Sequence, residues 1–408
     1  MRKILFDFLT LHSKNGAAEY TRRVFGALLK MIHKAKIDSM IYCLYDSSSM
    51  PQYEELLPDK LKDGHVAFVD VNEGVKNLNE LGCDVFFFGC AQNGNWHPEL
   101  QQLRCKLIIV FHDCVWEELY NNDLSIYMTL NTEDVFRHRA TKPVGNRLFF
   151  DLKSPTIRFC RWLFHVRKYG ILEKGYTMVQ PSLSLFRKRE DNIIITVSEY
   201  SKHTLMYNFD IPETKIQVKY SPERVYENDK EDCESENLKL MLEQKKKYYL
   251  LVSAGRVAKN AKKTLMAFQH YTTISPDSQI VTIGYGKKLF ENHIDLPFLN
   301  DSDLQKAYAH CSALIYPSYF EGFGYPPLEA MKFGKPVLSS NVCSMPEVLG
   351  DAPIYFSPFY ESAIFGALCH LTDRNYQDYS DKSRKQYAKV HEKQEKDLDD
   401  LIHIILSC

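Results

Sequence analysis

The chain has 408 residues, 45% of them hydrophobic and 25% charged, with a formal net charge of −1. That length exceeds one ordinary core and predicts two domains of roughly 200 residues each. The near-zero charge excludes a globally basic nucleic-acid binder, and eleven scattered cysteines without a Cys-x-x-Cys pair argue against a disulfide framework or a zinc site.

Residues 3–9 read as a buried strand and 17–33 as an amphipathic helix. Residues 39–45, 65–71, 84–90, 106–113 and 192–197 are further apolar runs with helices or loops between them. Unalternating apolar runs spaced by helices are the mark of parallel strands covered on both faces. Ser198 opens a helix after the last of these runs. The stretch 117–190 breaks the pattern: from Arg137 to Glu190 it holds thirteen Lys and Arg against three acidic residues, interleaved with aromatics. Residues 222–247 are charged and poor in apolar side chains, and read as a linker. The strand–helix alternation then restarts, with strands expected at 248–254, 279–285, 313–318, 336–340 and 353–357. Residues 376–406 read as a long, mostly polar helix that buries only its end. The expected fold is α/β, with two doubly wound, Rossmann-like domains facing across a cleft. The domains are 1–221 and 248–375, joined by the linker 222–247. A terminal helix at 376–408 is free to pack back on the first domain.

Three motifs carry chemistry. In Pro317-Ser318-Tyr319-Phe320-Glu321-Gly322-Phe323-Gly324-Tyr325-Pro326, a strand gives way to a helix whose first turn favours proline. Gly322 and Gly324 let the backbone approach a ligand, and amides at a helix start suit an anionic or hydroxyl-rich group. Glu321 lies in the loop and Glu329 about a turn into the helix, so both carboxylates can enter one cleft. A glycine-containing turn with two solvated glutamates is the bland alternative. It must explain two glycines, two prolines and both acids together. In Ser253-Ala254-Gly255-Arg256-Val257-Ala258-Lys259-Asn260, a cation pair just after a strand fits a diphosphate, although two ordinary surface cations would account for it as well. In Val110-Phe111-His112-Asp113, the histidine stands at a strand's carboxyl end, where open sheets bind ligands. Asp113 can orient the imidazole or cap the next segment.

With those motifs, the chain resembles the retaining glycosyltransferase family 4 (glycosyl transferase group 1), whose members have the GT-B fold. Glu321 and Glu329 match its Glu-x7-Glu signature without a gap. The resemblance covers nearly all of the second half and is patchy in the first. It implies transfer of a hexose from a nucleotide-diphosphate sugar, with retention, to a glycan or lipid-linked acceptor in cell-surface polysaccharide or glycoconjugate synthesis. It implies that Glu321, His112, Arg256 and Lys259 are catalytic, and that Glu329, Gly322, Phe323, Gly324, Gly16 and Leu328 bind the donor. No metal and no cofactor are expected. Asp301-Ser302-Asp303 immediately precedes a helix, so capping explains it better than a cation site. A phosphorylase of the same fold, or an inactive sugar-binding relative, remains the alternative. A nicotinamide enzyme does not, because residues 12–16 supply no Gly-x-Gly-x-x-Gly.

The basic stretch 137–190 has three readings: an ordinary helix with one core face, a dock on anionic membrane, or a site for an acidic glycan. Nucleic acid is not an expected partner. No run of about 18 apolar residues and no signal peptide are seen, so the expected place is the cytoplasm, in solution or resting on the inner membrane face.

Overall fold

A computed structural model of the chain describes residues 1–12, 15–49, 54–74, 78–91, 98–115, 118, 171–224 and 233–408. Thirteen described strands form two wholly parallel sheets. The first contains β1 (Arg2–Asp7), β2 (Ser39–Tyr45), β3 (Val66–Asp70), β4 (Val85–Phe88), β5 (Lys106–Phe111), β6 (Ile193–Thr196) and β7 (Ile216–Val218), in the order β3-β2-β1-β4-β5-β6-β7. The second contains β8 (Tyr248–Leu251), β9 (Gln279–Ile283), β10 (His293–Leu296), β11 (Ala313–Tyr316), β12 (Val337–Ser340) and β13 (Ile354–Phe356), in the order β10-β9-β8-β11-β12-β13. The strand order reverses between β1 and β4 in one sheet and between β8 and β11 in the other. Those reversals are where such sheets open a crevice at their carboxyl ends.

Burial drives this arrangement. β4 is Val-Phe-Phe-Phe with every residue buried, and β8 and β11 are buried throughout. Helix α1 (Gly16–Ala35) lays Tyr20, Val24, Phe25, Leu28 and Ile32 against the first sheet. Each of the four aliphatic and phenylalanine side chains contributes about 1.5–3 kcal/mol on burial. Phe6 stacks on Phe87 at 4.9 Å and meets Phe25 edge-on at 5.4 Å, which ties β1, β4 and α1 together. Asn15 caps α1 by accepting from the Ala18 amide at 3.0 Å.

Several expectations need correction. β7 and β10 were not expected as strands, and both are short edge strands with a polar residue inside. Part of the expected linker is a helix, α4 (Glu236–Glu243), which buries Leu238 and Met241; α2 (Ile171–Phe186) and α3 (Glu199–Phe209) precede it. The terminal helix α10 (Tyr376–Ser407) buries residues from Ser380 to Ile405 along its length and not only its end. Its polar appearance hides a stripe in which Ser380, Gln394 and Asp397 are buried with hydrogen-bond partners elsewhere in the chain. Gln394, for instance, donates to the Ser221 carbonyl at 2.6 Å. Of the basic stretch, 137–170 lies outside the described residues, including Arg158 to Lys168. Residues 171–186 are the helix α2, whose described side chains Val179, Leu183, Leu185 and Phe186 are buried. Among the described residues no helix is long and apolar enough to cross a membrane.

Candidate active site

The motif-bearing segments leave the carboxyl ends of strands beside the two reversals. Lys259 follows β8 and Glu321 follows β11, the strands on either side of the second sheet's reversal. Their side chains meet. Lys259 Nζ is ion-paired to Glu321 Oε1 and donates to the Tyr316 hydroxyl at 2.7 Å. It also stands 4.5 Å from the centre of the Tyr316 ring. The two charged side chains are only 11% and 14% exposed, so each depends on the other for compensation. Burial pushes the Tyr316 phenol far above its ordinary range, and the carboxylates of Glu321 and Glu329 push the same way. Both glutamates therefore bear on one phenol, as their eight-residue spacing across a loop and a helical turn suggests.

The loop owes its path to its glycines. Gly324 has φ 94°, and it is the residue that starts α7 (Tyr325–Lys332), with Pro326 in the first turn. Glu329 sits inside that helix with its side chain 10% exposed, and Arg224 Nη1 lies 4.0 Å from it. A Cβ on Gly322 would stand 2.1 Å from the His112 carbonyl oxygen, so only glycine allows this approach. The Gly322 carbonyl accepts from Ser198 Oγ at 2.8 Å, and the Glu321 carbonyl accepts from Ser344 Oγ at 2.9 Å.

The first sheet supplies the opposite wall. His112 follows β5, and its Nε2–H donates to the Gly89 carbonyl at 2.9 Å. A carbonyl only accepts, so the bond fixes the proton on Nε2. Burial lowers the imidazole to about 4, against a smaller upward pull from the Gly89 bond. The ring is therefore neutral at neutral pH. Gly89 follows β4 and donates its amide to Asp7 Oδ2 at 3.0 Å, which joins the two strands of the first reversal. Asp7 also accepts from the Thr10 amide at 3.1 Å and its hydroxyl at 2.5 Å, while burial raises its carboxyl to about 6. Gly16, at the start of α1, lies so close to α7 that a Cβ there would be 3.4 Å from the Tyr325 ring.

Thus Gly16, His112, Lys259, Glu321, Gly322 and Gly324 lie on segments that abut one another. Arg256 stands apart: it is exposed at the head of the single turn Val257–Lys259, which precedes α5 (Ala261–Tyr271), and makes no ion pair with a described residue. Phe323 and Leu328 put their side chains in the core. The Phe323 ring lies between Tyr220 at 5.3 Å and Tyr325 at 5.6 Å. Asp113 accepts from the Val115 amide at 3.1 Å and so caps the next segment, while Gly89 holds the imidazole. The cap of α6 (Asp301–His310) is Asn300, not Asp301. Asp303 accepts from the amides of Glu234 and Ser235, which are 3.1 and 2.7 Å away. Among the described residues no group of three or more His, Cys, Asp or Glu side chains could hold a metal ion.

Tyr316, Asp7 and Gly89 belong to this site without a motif to mark them. Tyr316 looks in the sequence like one more buried strand residue. Ser198 reads as a helix cap, which it is, accepting from the Ser201 amide.

Residues 234–362 match the family model for glycosyl transferases group 1. The chain is similar to O-antigen chain mannosyltransferase B of Escherichia coli, with 51% identity over 63 residues, 15% of this chain and 16% of that protein. It is also similar to O-antigen chain mannosyltransferase RfbU of Salmonella typhimurium, with 29% identity over 192 residues, 44% of this chain and 50% of that one. The matched stretches thus span half or less of these relatives. Among solved structures, Anabaena Alr3699/HepE in complex with UDP-glucose superimposes with a TM-score of 0.59 at 13% identity, covering 98% of this chain and 99% of that one. That likeness speaks to the fold, which is GT-B. The match to glycosyl transferases group 1 thus covers the part of the second half that carries Lys259, Glu321 and Glu329.

Proposed function

We propose that the chain transfers a hexose, mannose in the first instance, from a nucleotide-diphosphate sugar to a growing glycan of a cell-surface polysaccharide. The identity to O-antigen mannosyltransferases supports the sugar and the pathway, and the UDP-glucose held by a protein of like fold supports the donor class. The observation that carries the reading is the buried Lys259–Glu321 pair astride the second sheet's reversal, with Gly322 pressed against His112.

In this reading the donor's diphosphate lies by Lys259 and the exposed Arg256, whose planar fork has no competing carboxylate among the described residues. Their charge stabilises the leaving phosphate as it departs, without a metal ion or other cofactor. Glu321 and the amides of Gly322 to Gly324 hold the sugar hydroxyls, and Glu329 takes the ribose. The acceptor oxygen attacks C1 from the face the diphosphate leaves. The C1–O bond to phosphate breaks, the new C1–O bond forms, and the departing phosphate oxygen takes the acceptor's proton. The anomeric configuration is kept. Neutral His112 lines the acceptor side as a hydrogen-bonding group and brings no charge of its own.

Glu321→Gln tests the assignment. The variant is expected to bind nucleoside diphosphate as the wild type does, by calorimetry, while kcat falls about a hundred-fold or more. Turnover within a few-fold of the wild type would remove Glu321 from the chemistry.

A further inference from the structure

Glu347 is not called for by the reaction, yet its carboxylate joins the two halves of the molecule. It lies on the short helix α8 (Met345–Leu349) of the second half, after β12. Its Oε1 accepts from the Glu199 amide at 2.9 Å and its Oε2 from the Tyr200 amide at 3.1 Å. Those are the first two residues of α3 in the first half. Oε1 also accepts from the Tyr220 hydroxyl at 3.2 Å, in the strand-to-linker segment that leads out of the first half. A carboxylate on the open amides of a helix start is favoured by charge-assisted bonding and by the helix dipole.

The same two segments reach the sugar-side loop. Ser344, just before α8, donates to the Glu321 carbonyl at 2.9 Å. Ser198, which caps α3, donates to the Gly322 carbonyl at 2.8 Å, and both serines are fully buried. Ser201 in the first turn of α3 donates to the His112 carbonyl at 3.3 Å. A closed ring results, running from α3 through Glu347, α8, Ser344, the Glu321–Gly322 peptide and Ser198 back to α3. Glu347 stands between the hinge side at Tyr220 and the crevice at Gly322.

From this ring we infer that Glu347 is a positioning residue, a latch that holds the two halves closed so that Gly322 is kept against His112. The inference rests on the crevice being the donor site for its effect on turnover, but not for its effect on shape. Breaking the latch lets the halves part about the hinge and leaves the second half's own pairing of Lys259 with Glu321 intact.

The test is Glu347→Ala in the full chain, by small-angle X-ray scattering with and without saturating GDP or UDP. A larger radius of gyration than the wild type is expected. In steady-state assays kcat is expected to fall about a hundred-fold, as for an ångström-scale misplacement, with an unchanged dissociation constant for nucleoside diphosphate. Glu347→Gln keeps one acceptor oxygen and should recover part of the loss. If Glu347→Ala does not fold, Tyr220→Phe removes one bond of the latch and leaves the ring on Phe323, with a smaller change in the same direction. An unchanged radius of gyration, or an opened molecule that turns over at the wild-type rate, overturns the latch. Should the wild type transfer no sugar at all, the donor-site reading fails and the scattering result still decides the latch.

Discussion

At the scale of single residues, His112 and Asp7 face each other across the Gly89 peptide, and burial moves their titrations in opposite stability directions. The folded chain takes up the His112 proton only at about 4, whereas an ordinary histidine takes it at 6.5. Its contribution to stability is complete above 6.5 and is lost as the pH falls towards 4. Asp7, raised from 3.8 to about 6, contributes fully below 3.8 and loses its contribution as the pH rises through 6. NMR titration of the His112 ring is expected to show a neutral imidazole down to about pH 4. His112→Gln should flatten the acid loss of stability between pH 6.5 and 4 in urea unfolding. A His112 midpoint near 6.5 would contradict the burial of this ring.

The residues that titrate or pair at the site were legible to different degrees. Glu321, Glu329, Lys259 and His112 sit in contiguous motifs, so chain order alone marks them. Tyr316 does not, and the partners of Ser198 and Glu347 are far away in the chain. Ser198 reaches Gly322 across a separation of 124 positions and Glu347 reaches Glu199 across 148, and nothing local records such pairings. The bond of Glu347 to the opposite half shows only in three dimensions.

At the scale of elements, glycines at two places should answer alanine with opposite signs. Gly322 has no room, since its Cβ would lie 2.1 Å from the His112 carbonyl, a backbone atom that cannot rotate away. Gly322→Ala is expected to cost about 1–3 kcal/mol, as overpacking does, and to lower turnover by parting the loop from His112. Gly366 lies within α9 (Glu361–His370), with nothing within 4 Å of an added Cβ. There, alanine should gain up to about 1 kcal/mol from helix propensity. Thermal unfolding of both variants checks the pair, and equal shifts would show that the Gly322 approach is not tight.

The strands with continuous apolar runs were readable because burial on both faces leaves no alternation to confuse with surface. β7 and β10 escaped notice for the converse reason. Gln217 and Asp295 break runs of three and four residues at sheet edges, where one side needs no partner strand. The terminal helix misled in another way. Ser380, Gln394 and Asp397 are buried polar residues whose partners, among them Gly334, Ser221 and Tyr220, lie elsewhere in the chain. Polar composition therefore hid a packed face.

At the scale of the whole molecule, the chain is two parallel sheets whose strand-order reversals meet. α10 packs against both α1 and α7, and Asp397 and Gln394 hold the segment Tyr220–Ser221 that passes between the halves. Opposed crevices explain how side chains separated by some two hundred positions come to lie on abutting segments. His112 comes from the first sheet, while Lys259 and Glu321 come from the second.

The most direct measurement is proton NMR of the reaction itself. The full chain would be incubated in EDTA with GDP-mannose, and in parallel with UDP-glucose, beside a soluble mannose oligosaccharide. Transfer from one of these donors is expected, with stoichiometric release of nucleoside diphosphate and a new glycoside of the donor's own anomeric configuration. An inverted anomer, transfer that appears only when manganese is restored, or no transfer from either donor would contradict this.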